Sequence, residues 1–148
     1  MKIHQVSVFL ENKPGRLLAP CETLAKAGIN IITLSLADTH QYGILRMIVP
    51  DWQQAKEVLE RAGFVVNVAE VLAIEVPDHP DGLADVLCAI EQAGINVEYM
   101  YAFSERLNDK AMLVFRFESA DAAVAALAGC NLKLVSNITI TPAGKNIT

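Results

Sequence analysis

The chain has 148 residues, of which 53% are hydrophobic and 20% are charged, and its formal net charge is −5. This length fits one ordinary domain or two small ones, and a small domain cannot easily bury so much apolar surface alone. We therefore expect burial between two halves of the chain or between subunits. The acidic balance and the lack of a basic run argue against nucleic-acid binding.

The predicted elements of the first half follow one another in a simple order. Apolar residues at helical spacing predict a helix that starts at Leu17 and ends at Gly28. Asp51 is an N-cap candidate for a second helix, which ends at Gly63. Strands are predicted over residues 3–10, 29–37, 43–49 and 64–68.

The first strand and the first helix are joined by the stretch Glu11-Asn12-Lys13-Pro14-Gly15-Arg16-Leu17. Pro14 fixes φ near the helical value, and Gly15 lacks a Cβ atom. Such a turn leaves backbone N–H groups unpaired at a helix N-terminus, where the helix dipole favours negative charge. The turn is therefore either a plain connection or a docking place for a carboxylate.

The second half repeats the first after a shift of 66 residues, since Ala27-Gly28-Ile29-Asn30 then faces Ala93-Gly94-Ile95-Asn96. Pro14 faces Pro80 and Leu17 faces Leu83, but the glycine slips by one position, so that Asp81 faces Gly15. This is a duplication of about 70 residues. The predicted domains are therefore residues 1–69 and 70–148, with a frayed tail from about residue 142.

The second half yields the same order of elements. A polar turn, Asp78-His79-Pro80-Asp81-Gly82, precedes a helix that ends at Gly94, and Ser119 is an N-cap candidate for a helix through Ala128. Strands are predicted over residues 71–76, 95–103, 111–117 and 132–135, with a hairpin loop at 104–109 and a further strand or extension at 138–140.

Each half thus reads β-α-β-β-α-β, the ferredoxin-like arrangement of an α+β fold, with a four-stranded antiparallel sheet and both helices on one face. Because strand residues on both faces are apolar, we expect the bare sheet face or the sheet edge to be covered. The three cysteines are odd in number and far apart, which argues against disulfides and a cysteine zinc site. Cys21 and Cys88 lie in apolar helical stripes, where small buried side chains are expected.

Several functions of this fold are disfavoured by the residues present. A metal carrier needs a cysteine pair in the first turn, which has none. RNA recognition needs aromatic and basic residues on central strands, whereas residues 29–37 and 43–49 hold no aromatic residue and only Arg46 as a charge. His4, His40 and His79 share no motif with a nucleophile, so we predict no catalytic residue, no cofactor and no metal site.

The sequence resembles a tandem ACT domain protein over residues 1 to about 140. The resemblance rests on Asn12-Lys13-Pro14-Gly15-Arg16-Leu17 after the first strand and on Ala-Gly-Ile-Asn in both copies. It is similar to the stand-alone two-domain proteins, some of them acetolactate-synthase-like. The resemblance implies a regulatory or sensor protein that binds an amino acid. It also implies that domains pair side by side into a continuous antiparallel sheet with helices on one face, and that the chain forms a homodimer.

In such proteins the ligand lies at a domain interface, against the first β-α turn of one domain and a strand of its neighbour. Carried over to this sequence, Asn12 could hold the amino group of the ligand. Asp81 stands where the family pattern has a glycine, so we do not expect the two turns to form equivalent ligand sites. The candidate ligand-binding residues are Leu10, Glu11, Asn12, Lys13, Pro14, Gly15, Arg16, Leu17, Asp78, His79, Pro80, Gly82 and Leu83.

Two other functions stay open: a regulatory subunit of a separate amino-acid biosynthetic enzyme, and a dimerisation module without a ligand. Residues 1–11 lack the basic region and long apolar core of a signal peptide, and no run of 18 apolar residues occurs. We therefore expect a cytoplasmic protein that contacts neither membrane nor nucleic acid.

Overall fold

The computed structural model describes residues 2–103 and 110–135. Its strands are β1 (Ile3–Glu11), β2 (Thr33–Thr39), β3 (Tyr42–Ile48), β4 (Val65–Pro77), β5 (Val97–Ala102), β6 (Lys110–Phe117) and β7 (Leu134–Val135). Its helices are α1 (Leu18–Lys26), α2 (Trp52–Arg61), α3 (Gly82–Gln92) and α4 (Ala120–Leu127). Among these residues, no helix has the length and hydrophobicity that a membrane crossing requires.

The strands form one antiparallel sheet in the order β2-β3-β1-β4-β6-β5, and β7 pairs with β4 beside this path. Residues 65–71 of β4 pair with β1, and residues 72–77 pair with β6. One strand therefore closes the first βαββαβ unit and opens the second. The expected α+β fold of two ferredoxin-like units is confirmed, and the units join through this shared strand.

The shared strand corrects one detail of the sequence analysis, which placed separate strands at residues 64–68 and 71–76. Ala69 and Glu70 lie between them and pair with Gln5 and His4 of β1, so the strand continues without a break. The strand predicted from residue 29 begins at Thr33 instead. The Ile29 N–H donates a hydrogen bond to the Leu24 carbonyl, so Ile29 still belongs to the end of α1. The predicted loop at 104–109 and the elements after residue 135 lie outside the described residues.

The helix ends agree with the capping residues in the sequence. Asp51 accepts a hydrogen bond from the Gln54 N–H at 2.9 Å, and Ser119 accepts one from the Ala122 N–H at 3.2 Å. Both side chains satisfy an amide that has no partner within the helix. The first three helices are each followed by a glycine in the left-handed region, namely Gly28, Gly63 and Gly94.

Each unit has its own apolar core between the sheet and two helices. In the first unit, β1 and β3 pack against α1 and α2, with Val8, Leu24 and Leu59 fully buried. In the second unit, Ile74 and Phe115 are buried against α3 and α4. Residues 66, 72, 74 and 76 of β4 contribute to these two cores, so all four helices lie on one face of the sheet.

The helix-free face curls so that parts of the two units contact each other. Ile48 and Val71 of this face form a small third core with Val114, and Ile32 and Tyr101 pack against it. On the same face Thr33 donates a hydrogen bond to the Ala102 carbonyl at 3.3 Å. The second unit thus covers part of the helix-free sheet face, for which the sequence analysis expected a cover.

A polar network at this contact is centred on Gln5, whose side chain is fully buried. Gln5 Nε2 donates to Ser7 Oγ at 3.1 Å and to Tyr99 OH at 2.7 Å, and Gln5 Oε1 accepts from Tyr101 OH at 2.8 Å. The Arg46 guanidinium lies 3.8 Å from the centre of the Tyr99 ring. Burial raises the pKa of Tyr101, so that this hydroxyl stays protonated and remains a donor.

The network predicts a specific loss of stability. Gln5→Ala removes a hydrogen-bond partner from the buried Ser7 and from the half-buried Tyr99 and Tyr101, so we expect the free energy of unfolding to fall by about 1–3 kcal/mol. The matched control is Gln53→Ala on the exposed side of α2, which should change it by less than about 0.5 kcal/mol. Urea unfolding checks both, and equal values for the two variants would contradict the network's role.

Candidate ligand-binding site

The first turn, residues 11–17, lies between β1 and α1 and is tied to the hairpin that joins β2 and β3. The Asn12 N–H donates to the Gln41 carbonyl at 2.9 Å, and Asn12 Nδ2 donates to the His40 carbonyl at 3.2 Å. The Lys13 N–H donates to the Glu11 carbonyl at 2.9 Å, which turns the chain away from β1. Asn12 therefore fixes the turn to its neighbour and does not cap α1.

The backbone of this turn presents free donors. Gly15 has φ of +81°, and a Cβ placed on it would meet no atom within 4 Å. Leu17 stands at the N-cap position of α1 without a side-chain capping bond. The N–H groups of Gly15, Leu17 and Leu18 make no backbone hydrogen bond within residues 2–103 and 110–135. Three donors at a helix N-terminus can bind a carboxylate.

Three charged side chains surround the turn. The Glu11 carboxylate forms ion pairs with Lys13 Nζ at 3.3 Å and with Arg16 Nη2 at 3.2 Å. These cations, Lys13 first, hold the pKa of Glu11 below its ordinary value. All three side chains are between 47% and 65% exposed, so the pairs add little to stability. Their charges sum to +1, which favours a negatively charged ligand.

The second turn has a different backbone. Asp81, which takes the place of the glycine, has φ of −90° and ψ of −8°, so neither Asp81 nor Gly82 has the left-handed backbone of Gly15. Gly82 is buried, and a Cβ on it would lie 2.0 Å from the Pro77 carbonyl oxygen. Its role is therefore close packing of α3 on the end of β4. Asp78, His79 and Pro80 are exposed.

The thirteen candidate residues fall into two separate groups. Phe9, close to the first turn, pairs with Val65 at the start of β4, whereas the second turn follows Pro77 at its end. Twelve residues of strand separate these points, which corresponds to about 40 Å along β4. Residues 10–17 form one group and residues 78–83 another. Leu10 belongs to the first unit's core, while Leu17 and Leu83 are 43% and 38% exposed.

Other candidates from the sequence have structural surroundings. His4 stacks on Trp52 with ring centres 4.6 Å apart. The prediction of burial is wrong for Cys88, which is exposed, while Cys21 is half-buried. In the part of the chain that the structure describes, no three His, Cys, Asp or Glu side chains are arranged to hold a metal ion.

Sequence reasoning missed the residues that hold the first turn from the other side. Gln41 and His40 act through their carbonyl groups, so the identity of their side chains gives no signal. It also missed the exposure of Leu18 at the start of α1 and of Leu34 and Leu36 on β2, which are 59%, 48% and 48% exposed. Polar and apolar residues alternate at residues 33–37, which indicates a strand. The alternation does not show whether another element covers the apolar face of that strand.

Two βαββαβ units in one sheet, with an open donor-rich turn in the first, define a class of small tandem-domain α+β proteins. A family model described as ACT domain pair matches residues 1–142. The chain therefore belongs to the ACT domain pair family.

Solved structures agree with this assignment. Protein BT0572 from Bacteroides thetaiotaomicron is 38% identical, over 91% of this chain and 92% of that one, with a TM-score of 0.84. The ligand-free regulatory subunit of aspartate kinase from Thermus thermophilus is 19% identical, over 84% and 90% of the two chains, with a TM-score of 0.61. The corresponding subunit from Thermus flavus is 20% identical over the same shares, with a TM-score of 0.58. No curated protein matches the chain.

The geometry of Gly15 gives a prediction that is independent of any ligand. Gly15→Ala has space for its methyl group but must adopt a left-handed backbone, so we expect a loss of about 1–2 kcal/mol in the free energy of unfolding. Gly129→Ala is the matched control, because Gly129 also has open space and has no positive φ. Thermal and urea unfolding check the pair, and equal stability of both variants would show that Gly15 is not constrained.

Proposed function

We propose that this chain is a non-catalytic regulatory protein that binds an amino acid against its first turn, residues 11–17, at an interface with a second ACT domain. The observation that carries the proposal is the left-handed Gly15 together with the N–H groups of Gly15, Leu17 and Leu18, which have no backbone partner among the described residues. These donors would receive the carboxylate of the ligand. The Asn12 side-chain oxygen would accept a hydrogen bond from its amino group.

Affinity requires more than this turn. A negative charge at a helix N-terminus contributes about 0.3–1 kcal/mol when exposed and about 2 kcal/mol when partly buried. Millimolar binding already needs about 4 kcal/mol. A second surface must therefore close over the ligand and bury its side chain, at about 25 cal/mol per Å² of apolar area. Closure would couple occupancy of the site to assembly, which is the basis of regulation.

The second surface would come from another copy of the chain. The second unit contacts β1 near Gln5, at the end of the strand away from the first turn. The strand β2 is an outer strand of the sheet, and its Leu34 and Leu36 are exposed. An outer strand with exposed leucines is a surface for pairing. We therefore propose a homodimer through β2, built from units proposed at residues 1–69 and 70–148.

A second candidate is a regulatory subunit of a separate amino-acid biosynthetic enzyme. The two Thermus proteins of similar fold are regulatory subunits of aspartate kinase. The two candidates share the ligand site and differ in the partner, so co-purification of a large enzyme would favour the second. Either role fits a cytoplasmic protein without nucleic-acid partners.

Isothermal titration of the twenty amino acids tests the ligand. We expect at least one of them to bind the wild type and Gly129→Ala, and to bind Gly15→Ala at least about tenfold more weakly, because the altered backbone moves the donors. Circular dichroism confirms that both variants are folded. No heat and no thermal shift with any amino acid would refute the binding proposal and leave a dimerisation module.

Light scattering tests the partner surface. Leu34→Lys combined with Leu36→Lys places two charges on the proposed interface, so we expect a monomer where the wild type is a dimer. Val65→Lys is the control, because Val65 is 67% exposed and lies on β4, away from the outer strand. An unchanged dimer in the double variant would place the subunit interface elsewhere.

A further inference from the structure

A cavity of about 380 Å³ lies in the second unit, between α3, the end of β4 and residues 131–133. It is separate from the first turn and from the contact between the units. Ligand pockets span roughly 300–1,000 Å³, so its size suits a small molecule. Val86, Ala89 and Leu132 give it an apolar lining.

The cavity is also lined by charges from three elements. Glu75 of β4, with a side chain only 12% exposed, forms ion pairs with Lys133 Nζ at 2.7 Å and with Lys110 Nζ at 3.4 Å. The Glu75 N–H donates to the Lys133 carbonyl at 3.0 Å, which holds this segment beside β4. The lysines, Lys133 first, lower the pKa of Glu75, so the carboxylate stays ionised near neutral pH.

The two lysines have more hydrogen-bond donors and more positive charge than the Glu75 carboxylate can pair with. Each ammonium group has three donors, and one carboxylate cannot satisfy six. The side chains of Lys110 and Lys133 are 51% and 69% exposed, so their remaining donors are accessible to solvent and to a ligand. Glu75 thus holds two cations close together, and together they carry a net positive charge that can attract a second carboxylate.

The α3 side of the cavity is rigid and carries one further charge. Gly82 packs so closely on the Pro77 carbonyl that a Cβ would not fit, which fixes the start of α3 against β4. Asp85, one turn along α3, lines the cavity and forms no ion pair within the described residues. The cavity therefore has a cationic side, an apolar lining and a carboxylate opposite in sign to the lysines.

We propose that this cavity binds a small monocarboxylate with a short aliphatic body, whose carboxylate bridges Lys110 and Lys133 and whose body packs on Val86, Ala89 and Leu132. Two sources of this chemistry exist, an aliphatic amino acid and the same acid without its amino group. Asp85 discriminates between them, because it attracts an ammonium group and repels a ligand that carries only negative charge. The site does not depend on the first turn or on the dimer.

Amide NMR titrations test the site with three probes: L-leucine, 4-methylpentanoate and 3-methylbutylamine. We expect both carboxylates to shift amide signals within residues 85–89 and 131–133, while the amine leaves the signals of residues 131–133, beside the lysines, unchanged. Tighter binding of L-leucine assigns the amino acid as the source, and tighter binding of 4-methylpentanoate assigns the simple acid. No shift in these segments with either carboxylate overturns the proposal.

Variants separate this site from the first turn. Lys133→Met should weaken carboxylate binding about tenfold, and Ala89→Phe should abolish it by filling the cavity. Lys56→Met on α2 is the control, since Lys56 is also exposed and ion-paired, with Glu60. Gly15→Ala should leave these shifts unchanged even where it abolishes binding at the first turn. Wild-type affinity in Lys133→Met, which alters only an exposed side chain, would overturn the proposal even if Ala89→Phe failed to fold.

Discussion

The pairing of β4 with strands of both units is the constraint on which the rest of the structure depends. Its first part supplies hydrogen bonds to β1, and its second part supplies them to β6 and β7. Without it the first unit would lose its outer strand and the second unit an interior strand, and the strands left unpaired would carry a free-energy cost. Near the end of β6, Arg116 Nη1 donates to the Glu70 carbonyl at 3.0 Å, close to the point where the pairing of β4 changes from β1 to β6.

The shared strand also decides where binding can occur. Because β1 and β4 are antiparallel, the turns that follow them lie at opposite ends of the sheet. The two halves therefore cannot close over one ligand from their two turns. They also differ in chemistry, since the first turn has a left-handed Gly15 and free amides, whereas the second has Asp81 and a tightly packed Gly82.

Much of this architecture could be predicted from the sequence, because it rests on local signals. The duplication, the order of elements, and the caps at Asp51 and Ser119 depend on residues close together in the chain. The continuity of β4 could not be predicted, because Ala69 and Glu70 are not typical strand residues. They belong to the strand because they pair with β1. The Gln5 network joins residues 94 and 96 positions apart, which no local pattern reveals.

The same reasoning explains what could be predicted of the candidate sites. The first turn was recognisable because Pro14 and Gly15 have restricted or special backbone preferences. The cavity in the second unit was not recognisable from the sequence. Its charged residues, Glu75, Lys110 and Lys133, are far apart in the chain, and each is of a type common on protein surfaces. The prediction of a buried Cys88 was wrong because two residues turn an α-helix by about 200°, which places Cys88 opposite the buried Val86 and Ile90.

The merging of two strands into β4 has a consequence for how the duplicated gene could change. A repeat that carries its own complete sheet can be lost, swapped or multiplied, as in arrays whose units contact only their neighbours. Here a deletion of either copy would cut a continuous strand between Val71 and Leu72, where its pairing changes from β1 to β6. The turns of the two copies can therefore differ, as Gly15 and Asp81 do, but neither copy can be removed without cutting β4.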